Sequence, residues 1–334
     1  SMRDAVANFR FSWQGNTHMV GVSIGLVEIL GDGRDKIDLL KAADAACYAA
    51  KENGRNRVHV YCDQDIRMAA RHGEMKWVAR INLALENNRF RLALQPIVPI
   101  NGFDTNKLSY EVLIRMQDGE QVIQPDDFLG AAERYNLSSK VDCWVIRSVF
   151  KWIIDHKHEL DQVAFININI SGQSLGDQQF LKYVVDALQA QPIPAEKICF
   201  EITETAAITN FTNANSFMHA LKKLGCVFAL DDFGTGLSSF EYLKALPVEY
   251  LKIAGVFVKD IANDSVDLVM VKAINDLGHE MGKRVIAESV ENKEIFDHLV
   301  ELGVDFAQGY FVGKPIMITE LILPRSGITN PLKV

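Results

Sequence analysis

The feature that most limits the fold is a repeated alternation between residues 90 and 308. Short apolar runs succeed one another at Phe90–Leu94, Leu108–Ile114, Ala164–Ile170, Ile198–Ile202, Val227–Leu230, Tyr250–Ile253, Arg284–Ala287 and Asp305–Gln308. Stretches of helical spacing separate most of them: Phe128–Tyr135, Val141–Asp155, Gln178–Gln189, Asn213–Leu224, Phe240–Ala245, Val266–Met281 and Lys293–Leu302. Strands alternating with helices predict a parallel sheet, and eight such strands over this length predict a TIM (β/α)8 barrel. One connection breaks the pattern. Between Leu94 and Leu108 lie Pro96, Pro99 and Gly102, with no room for the crossover that parallel neighbours need. The first two strands are therefore expected to run antiparallel, giving a modified barrel of the α/β class.

Polar groups recur at one end of these strands. Glu111 lies within the second, Asn169 closes the third, and Glu201 and Glu204 bracket the end of the fourth. Asp231 and Asp232 end the fifth, Lys252 is near the end of the sixth, Glu288 follows the seventh and Gln308 closes the eighth. Solvation alone would put polar groups on helices and loops, whereas barrel active sites gather at the C-terminal strand ends. Carboxylates and an amide, with neither Cys nor His, point to Mg²⁺ or Mn²⁺ over zinc. Adjacent carboxylates such as Asp231 and Asp232 repel, and a regular strand would send them to opposite faces. The strand is therefore expected to end there, with Asp232 already turning towards Gly234 and Gly236. An N-cap or Asx-turn is the alternative reading of that pair. For Lys252 the alternative is a buried lysine satisfied by nearby acids.

The rest of the chain narrows the setting. Its 334 residues are 48% hydrophobic, enough for a large core or two domains. A net charge of −8 with no basic block excludes a broad surface for nucleic acid polymers, though not a single nucleotide. Five scattered cysteines suit a reducing cytosol. No apolar run reaches membrane-spanning length and no signal peptide is evident, so a cytoplasmic domain without membrane contact is expected, with any anchor upstream of Ser1. Residues 1–62 predict a small α+β unit: a hairpin (Phe9–Trp13 with His18–Ile24), a helix over Leu39–Asn53 stopped by Gly54, and a closing strand Val58–Tyr61. Residues 63–88 carry Ile66, Trp77, Ile81, Leu83 and Leu85 at helical spacing and predict a connector helix. The barrel is expected over 89–325, with a tail at 326–334.

Val22–Gly25, Ala43-Asp-Ala-Ala-Cys-Tyr-Ala-Ala-Lys51 and Gly54-Arg-Asn-Arg57 resemble the C-terminal part of a GGDEF (diguanylate cyclase) domain. That family's GTP-binding loop would precede Ser1, so this segment is not expected to synthesise cyclic di-GMP. From Trp77 to Leu323 the chain resembles the EAL family of cyclic di-GMP phosphodiesterases. The motifs are Gln95-Pro-Ile97, Glu111-Val-Leu-Ile-Arg115, Asn169-Ile-Ser171, Glu201-Ile-Thr-Glu204, the Asp-Asp-Phe-Gly-Thr-Gly run from Asp231, Leu251-Lys-Ile253, Ala287-Glu-Ser-Val-Glu291, Gln308-Gly-Tyr310 and Lys314-Pro315.

The resemblance implies roles for these residues. Glu111, Asn169, Glu201 and Asp231 would hold one metal; Asp231, Asp232 and Glu288 would hold a second. Lys252 would contact the attacking water, with Glu288 also in the catalytic set. Gln95, Gln308 and Arg115 would bind substrate, Arg115 through a phosphate. Glu204 would anchor the loop from Asp232 to Ser239 through Ser238. Hydrolysis of cyclic di-GMP to linear pGpG is implied, in a homodimer with the helix from Phe240 at its interface. The chain departs from the family at Val112 (usually Ala), Ser289 (usually Gly) and Ala254 (usually Asp). The last removes a carboxylate near Lys252 and opens a second reading, a receptor that binds cyclic di-GMP without useful turnover. A third is a structural regulator that works through protein partners.

Overall fold

In the computed structural model, the described residues are 3, 5–6, 9–13, 16–19, 21–29, 35–52, 56–62, 76–100, 107–236 and 240–321. They fall into two units, Ser1–Arg80 and Ile81–Val334. Gly54, Ile66, Gly102, Ser238, Ser239, Leu323 and the tail at 326–334 lie outside the described residues. None of the described helices is long and apolar enough to cross a membrane.

In the first unit, β1 (Arg10–Trp13) and β2 (Asn16–Met19) pair antiparallel. The hairpin's second strand therefore stops at Met19 and does not run on to Ile24 as expected. Gly21, with no side chain to pack, interrupts the run. Ile24 instead opens β3 (Ile24–Leu26), which pairs in parallel with β4 (Val58–Val60). Between them runs α1 (Lys36–Glu52), whose Ala42, Ala45, Ala46, Ala49 and Ala50 are buried. A Cβ on Gly25 would lie 2.3 Å from the Ala43 carbonyl oxygen and from the Cys47 nitrogen. Glycine on the strand and alanines on the helix thus let two backbones meet directly. Residues 76–86 are helical, within the expected connector.

The second unit is built on β5 (Phe90–Pro99), β6 (Leu108–Asp118), β7 (Gln121–Ile123), β8 (Val163–Asn169), β9 (Ile198–Thr203), β10 (Val227–Phe233), β11 (Tyr250–Ile253), β12 (Arg284–Ala287), β13 (Phe306–Gln308) and β14 (Ile316–Met317). Eight of these close a ring in the order β5, β6, β8, β9, β10, β11, β12, β13 and back to β5. Every pair in the ring is parallel except those of β5, which runs against both β6 and β13. This is the expected modified barrel. β7 folds back on β6 through Gly119, whose φ of +61° suits glycine, and β14 adds to β5. Both are too short to carry a period-two pattern.

Helices α2 (Pro125–Arg134), α3 (Ser138–Asp155), α4 (Gly172–Leu175), α5 (Gln178–Ala190), α6 (Glu204–Thr209), α7 (Phe211–Lys222), α8 (Phe240–Ala245), α9 (Gly255–Val258), α10 (Ser265–Glu280) and α11 (Lys293–Glu301) complete the unit.

Strand periodicity divides the barrel interior into layers. Ile97, Phe165, Cys199, Ala229, Tyr250, Ile286 and Phe306 form one buried cluster, the floor. The Phe165 and Tyr250 ring centroids are 4.7 Å apart and those of Phe165 and Phe306 6.0 Å. Two residues nearer the rim, the same strands deliver Gln95, Asn167, Glu201, Asp231, Lys252, Glu288 and Gln308. Glu111 stands likewise two residues beyond the buried Ser109 of β6. An apolar floor thus carries a polar ring, one residue per strand.

Candidate functional site

Lys252 is 0% exposed and sits at the centre of this ring. Its Nζ lies 3.3 Å from Glu111 Oε2, 2.6 Å from Glu288 Oε1 and 3.3 Å from Asp231 Oδ1, and it also donates to Glu201 Oε1. An ammonium has three protons to donate, and four carboxylates compete for them. Asp231 Oδ1 is the loser: it is buried and has no hydrogen-bond partner. Amides bind the acids from outside. Asn169 Nδ2 donates to Glu111 Oε1 at 2.7 Å, and Gln308 Nε2 donates to Glu111 Oε2 at 2.7 Å and to Gln95 Oε1 at 3.3 Å. Gln95 in turn donates to the Gly313 carbonyl at 3.2 Å.

Asp232 joins this group because β10 does not end cleanly. Its register against β11 slips between Leu230 and Phe233, and Asp232 has a φ of +54°. Asp tolerates that left-handed conformation better than most residues. The turn undoes strict alternation, so ligand atoms of Asp231, Asp232 and Glu288 lie within 4.8 Å of one another. Those of Glu111, Glu201 and Glu288 form a second such group. Glu288 belongs to both.

The charges explain themselves poorly without cations. Burial, then Glu111, pushes the Glu201 carboxyl well above its usual range. Burial, with Asp231 and Glu111 adding and Lys252 opposing, pushes Glu288 up to about 7. Burial followed by Asp231 also raises Asp232. Burial alone would lower Lys252, but Asp231, Glu111, Glu201 and Glu288 outweigh it and hold the ammonium well above its ordinary value. One ammonium faces five carboxyl groups whose ionised forms burial and mutual repulsion disfavour, a penalty that cations would relieve. All donors are hard oxygens, and one buried carboxylate oxygen is unsatisfied. The donor set therefore fits a hard divalent metal.

Around the acids lies a cavity of about 380 Å³, whose lining includes Gln95, Glu111, Glu288, Ser289, Gln308 and Tyr310. Arg115 is not in that lining. It stands on the same face of β6 as Glu111, nearer the rim; Nη1 donates to the Ile114 carbonyl at 2.8 Å, and its charge is felt by Tyr310, Asp126 and Glu111. Glu204 is buried away from the metal ligands. Its Oε2 accepts from the Gly234 N–H at 3.0 Å, and Gly236 packs against the same carboxylate. Ala254 is 2% exposed and caps α9 without a side-chain hydrogen bond. Ser289, beside Glu288, has a φ of +55° and its hydroxyl fills the space over Gly255.

One ring member escaped attention in the sequence: Asn167, wholly buried and bonded to Glu201 Oε2 at 2.7 Å. Reading only the strand ends favoured Asn169. Counting in twos from the apolar floor would have found Asn167 as well.

A closed barrel of this order, with an acid cage at its C-terminal rim, defines an α/β-barrel protein whose acidic groups could hold a metal ion. Its family follows from comparison: the chain belongs to the EAL domain family, whose model matches residues 78–315. A diguanylate cyclase, GGDEF domain model matches residues 1–57. The chain is 42% identical over 299 residues to cyclic di-GMP phosphodiesterase PdeB of Shewanella oneidensis, covering 89% of this chain and 35% of that one. It is 33% identical to cyclic di-GMP phosphodiesterase PdeF of Escherichia coli, covering 92% and 41%. The chain thus spans well under half the length of these relatives. Among solved structures, the FimX EAL domain of Pseudomonas aeruginosa bound to c-di-GMP matches with a TM-score of 0.65 at 32% identity, covering 72% of this chain and 96% of that one. The PaMucR phosphodiesterase in complex with c-di-GMP matches at 0.69 and 28%, covering 74% and 100%.

Proposed function

We propose that this chain hydrolyses one phosphodiester of cyclic di-GMP to linear pGpG, with Mg²⁺ or Mn²⁺ as cofactor. The observation that carries the reading is the convergence of five carboxylates and Lys252 beside a cavity of about 380 Å³. Relatives named as cyclic di-GMP phosphodiesterases support the substrate. Glu111, Asn169, Glu201 and Asp231 would hold one cation, and Asp231, Asp232 and Glu288 the second. A pair of such cations supplies a water made acidic enough to attack near neutral pH and offsets charge on the phosphoryl oxygens. The chain's own groups do the rest. Lys252 holds four acids in one place and would contact the incoming water once cations take over part of that work. Gln308 fixes the Glu111 carboxylate through its 2.7 Å bond, and Gln95 orients Gln308. Arg115, further out on β6, would hold a substrate phosphate. Glu204 ties the backbone of the loop after Asp232 in position.

The test is incubation of purified chain with Mn²⁺ and cyclic di-GMP, with linear product resolved by chromatography. Glu111→Ala is expected to lower turnover at least about 100-fold, the upper end of the loss caused by removing a group that only supports a ligand. Turnover that survives in Glu111→Ala overturns the assignment. The receptor reading rests on Ala254, an uncapped buried position where the family resemblance would put a carboxylate. Tight binding without product favours it, and restored turnover in Ala254→Asp would locate the deficit there. Self-association through the region of α8 is part of the same proposal, supported by the half-exposed Tyr242. So is a reducing, cytosolic setting, supported by five cysteines scattered in sequence with no close pair.

A further inference from the structure

We infer that Asn167 is a positioning residue for Glu201, an inference that rests on the two-cation reading above. Asn167 is the β8 member of the polar ring and is 0% exposed. Register places it opposite Glu111 on β6 and Cys199 on β9. Its Nδ2 donates to Glu201 Oε2 at 2.7 Å, while Lys252 Nζ donates to the other oxygen, Oε1. Each oxygen of this carboxylate therefore has its own donor, one from either side, and rotation of the carboxylate plane is arrested. The amide orientation is dictated by chemistry, because its oxygen turned towards a carboxylate would repel.

The arrangement has a cost that points to its purpose. Asn167 Oδ1 is buried with no hydrogen-bond partner. Unpaired buried acceptors are rare because they forfeit hydration without compensation. The neighbours Phe165, Ile166 and Ile168 are apolar and buried, so an apolar side chain at 167 would fit the strand and avoid the orphan. Such a residue lacks only the N–H that holds Glu201. The same strand repeats the device two residues on, where Asn169 Nδ2 donates to Glu111 Oε1 at 2.7 Å. Two amides on one edge of the ring thus orient two acids on the flanking strands, Asn169 towards β6 and Asn167 towards β9. Asn169 is a proposed ligand in its own right; Asn167 acts through Glu201.

Asn167→Leu keeps the approximate volume and removes the donor. Mn²⁺ binding to the cation-free chain, followed by electron paramagnetic resonance, is expected to weaken about 10- to 100-fold. KM for cyclic di-GMP at saturating Mn²⁺ should hold within about two-fold, the loss being in metal and not in substrate. The melting temperature without metal should fall, because the buried Glu201 Oε2 loses its donor as Asn167 Oδ1 disappears. Should Asn167→Leu fail to fold, Asn167→Ser, whose hydroxyl is too short to make the contact, is expected to show the same loss of Mn²⁺ affinity. Unchanged Mn²⁺ affinity in a folded variant, or a lowered melting temperature with affinity intact, overturns the role. Wild-type chain that takes up no Mn²⁺ overturns the two-cation reading itself, and so the two failures are told apart.

Discussion

Asp142, on α3, is wholly inside the protein and works through a single oxygen. Its Oδ2 accepts from the Ser171 N–H at 3.0 Å, from Ser171 Oγ at 2.7 Å and from Ser174 Oγ at 2.7 Å. These bonds hold the start of α4 just after Asn169. Burial raises its pKa despite the serine donors, which act to lower it. A carboxyl raised in the folded state binds its proton more tightly there than in the unfolded chain. Its contribution to stability is thus complete below the unfolded value of about 3.9 and is lost as pH climbs through the raised folded value. Asp142→Asn keeps an acceptor and cannot ionise. Its melting temperature relative to wild type should therefore rise as pH climbs above about 4 and through the raised folded value. A constant difference across that range would show that the residue does not titrate there. Asp142 was silent in the sequence, because an acid in mid-helix looks like any solvated one until its neighbours are known. The rim acids were legible because each interrupts or ends an apolar run.

Between elements, the junction of β11–α9 with the end of β12 is tight. A Cβ on Gly255 would lie 2.2 Å from Ser289 Oγ, and Ser289 itself holds a φ of +55° that glycine would adopt at less cost. Gly255→Ala is expected to cost about 1–3 kcal/mol in urea unfolding, the usual range for overpacking. Adding Ser289→Gly should recover most of it by clearing the hydroxyl and relaxing the backbone. Additive losses in the double variant would show that the two positions are not coupled. At this scale the sequence was most readable: all eight barrel strands and the reversed β5 follow from apolar runs and one short proline-containing connection. The misjudged element, β2, lies where a single continuous run spans a break at Gly21, and run length alone cannot say which partner each half takes. The turn of Asp232 was expected, but not its form: the strand was expected to end there, whereas β10 runs on through a bulge to Phe233, because the bulge lets adjacent acids share one side without ending the pairing.

Among the described residues, α10 carries an exposed apolar face. Val266, Val269 and Met270, at i, i+3 and i+4 on α10, are exposed, and Val256 on the adjoining α9 is exposed as well. Apolar side chains at this spacing form a stripe that water does not favour. On the proposed self-association through α8, light scattering should give twice the chain mass at high concentration, and Tyr242→Glu should shift it towards one chain. A single-chain mass for the wild type at all concentrations would remove the proposal. The barrel's aromatic floor has a further consequence. With Phe165, Tyr250 and Phe306 stoppering one pole, the described residues leave the acid cage open towards the opposite rim. On the proposed hydrolysis, a fragment that lingers at that rim bars the next arrival, so the speed of emptying sets a ceiling on throughput.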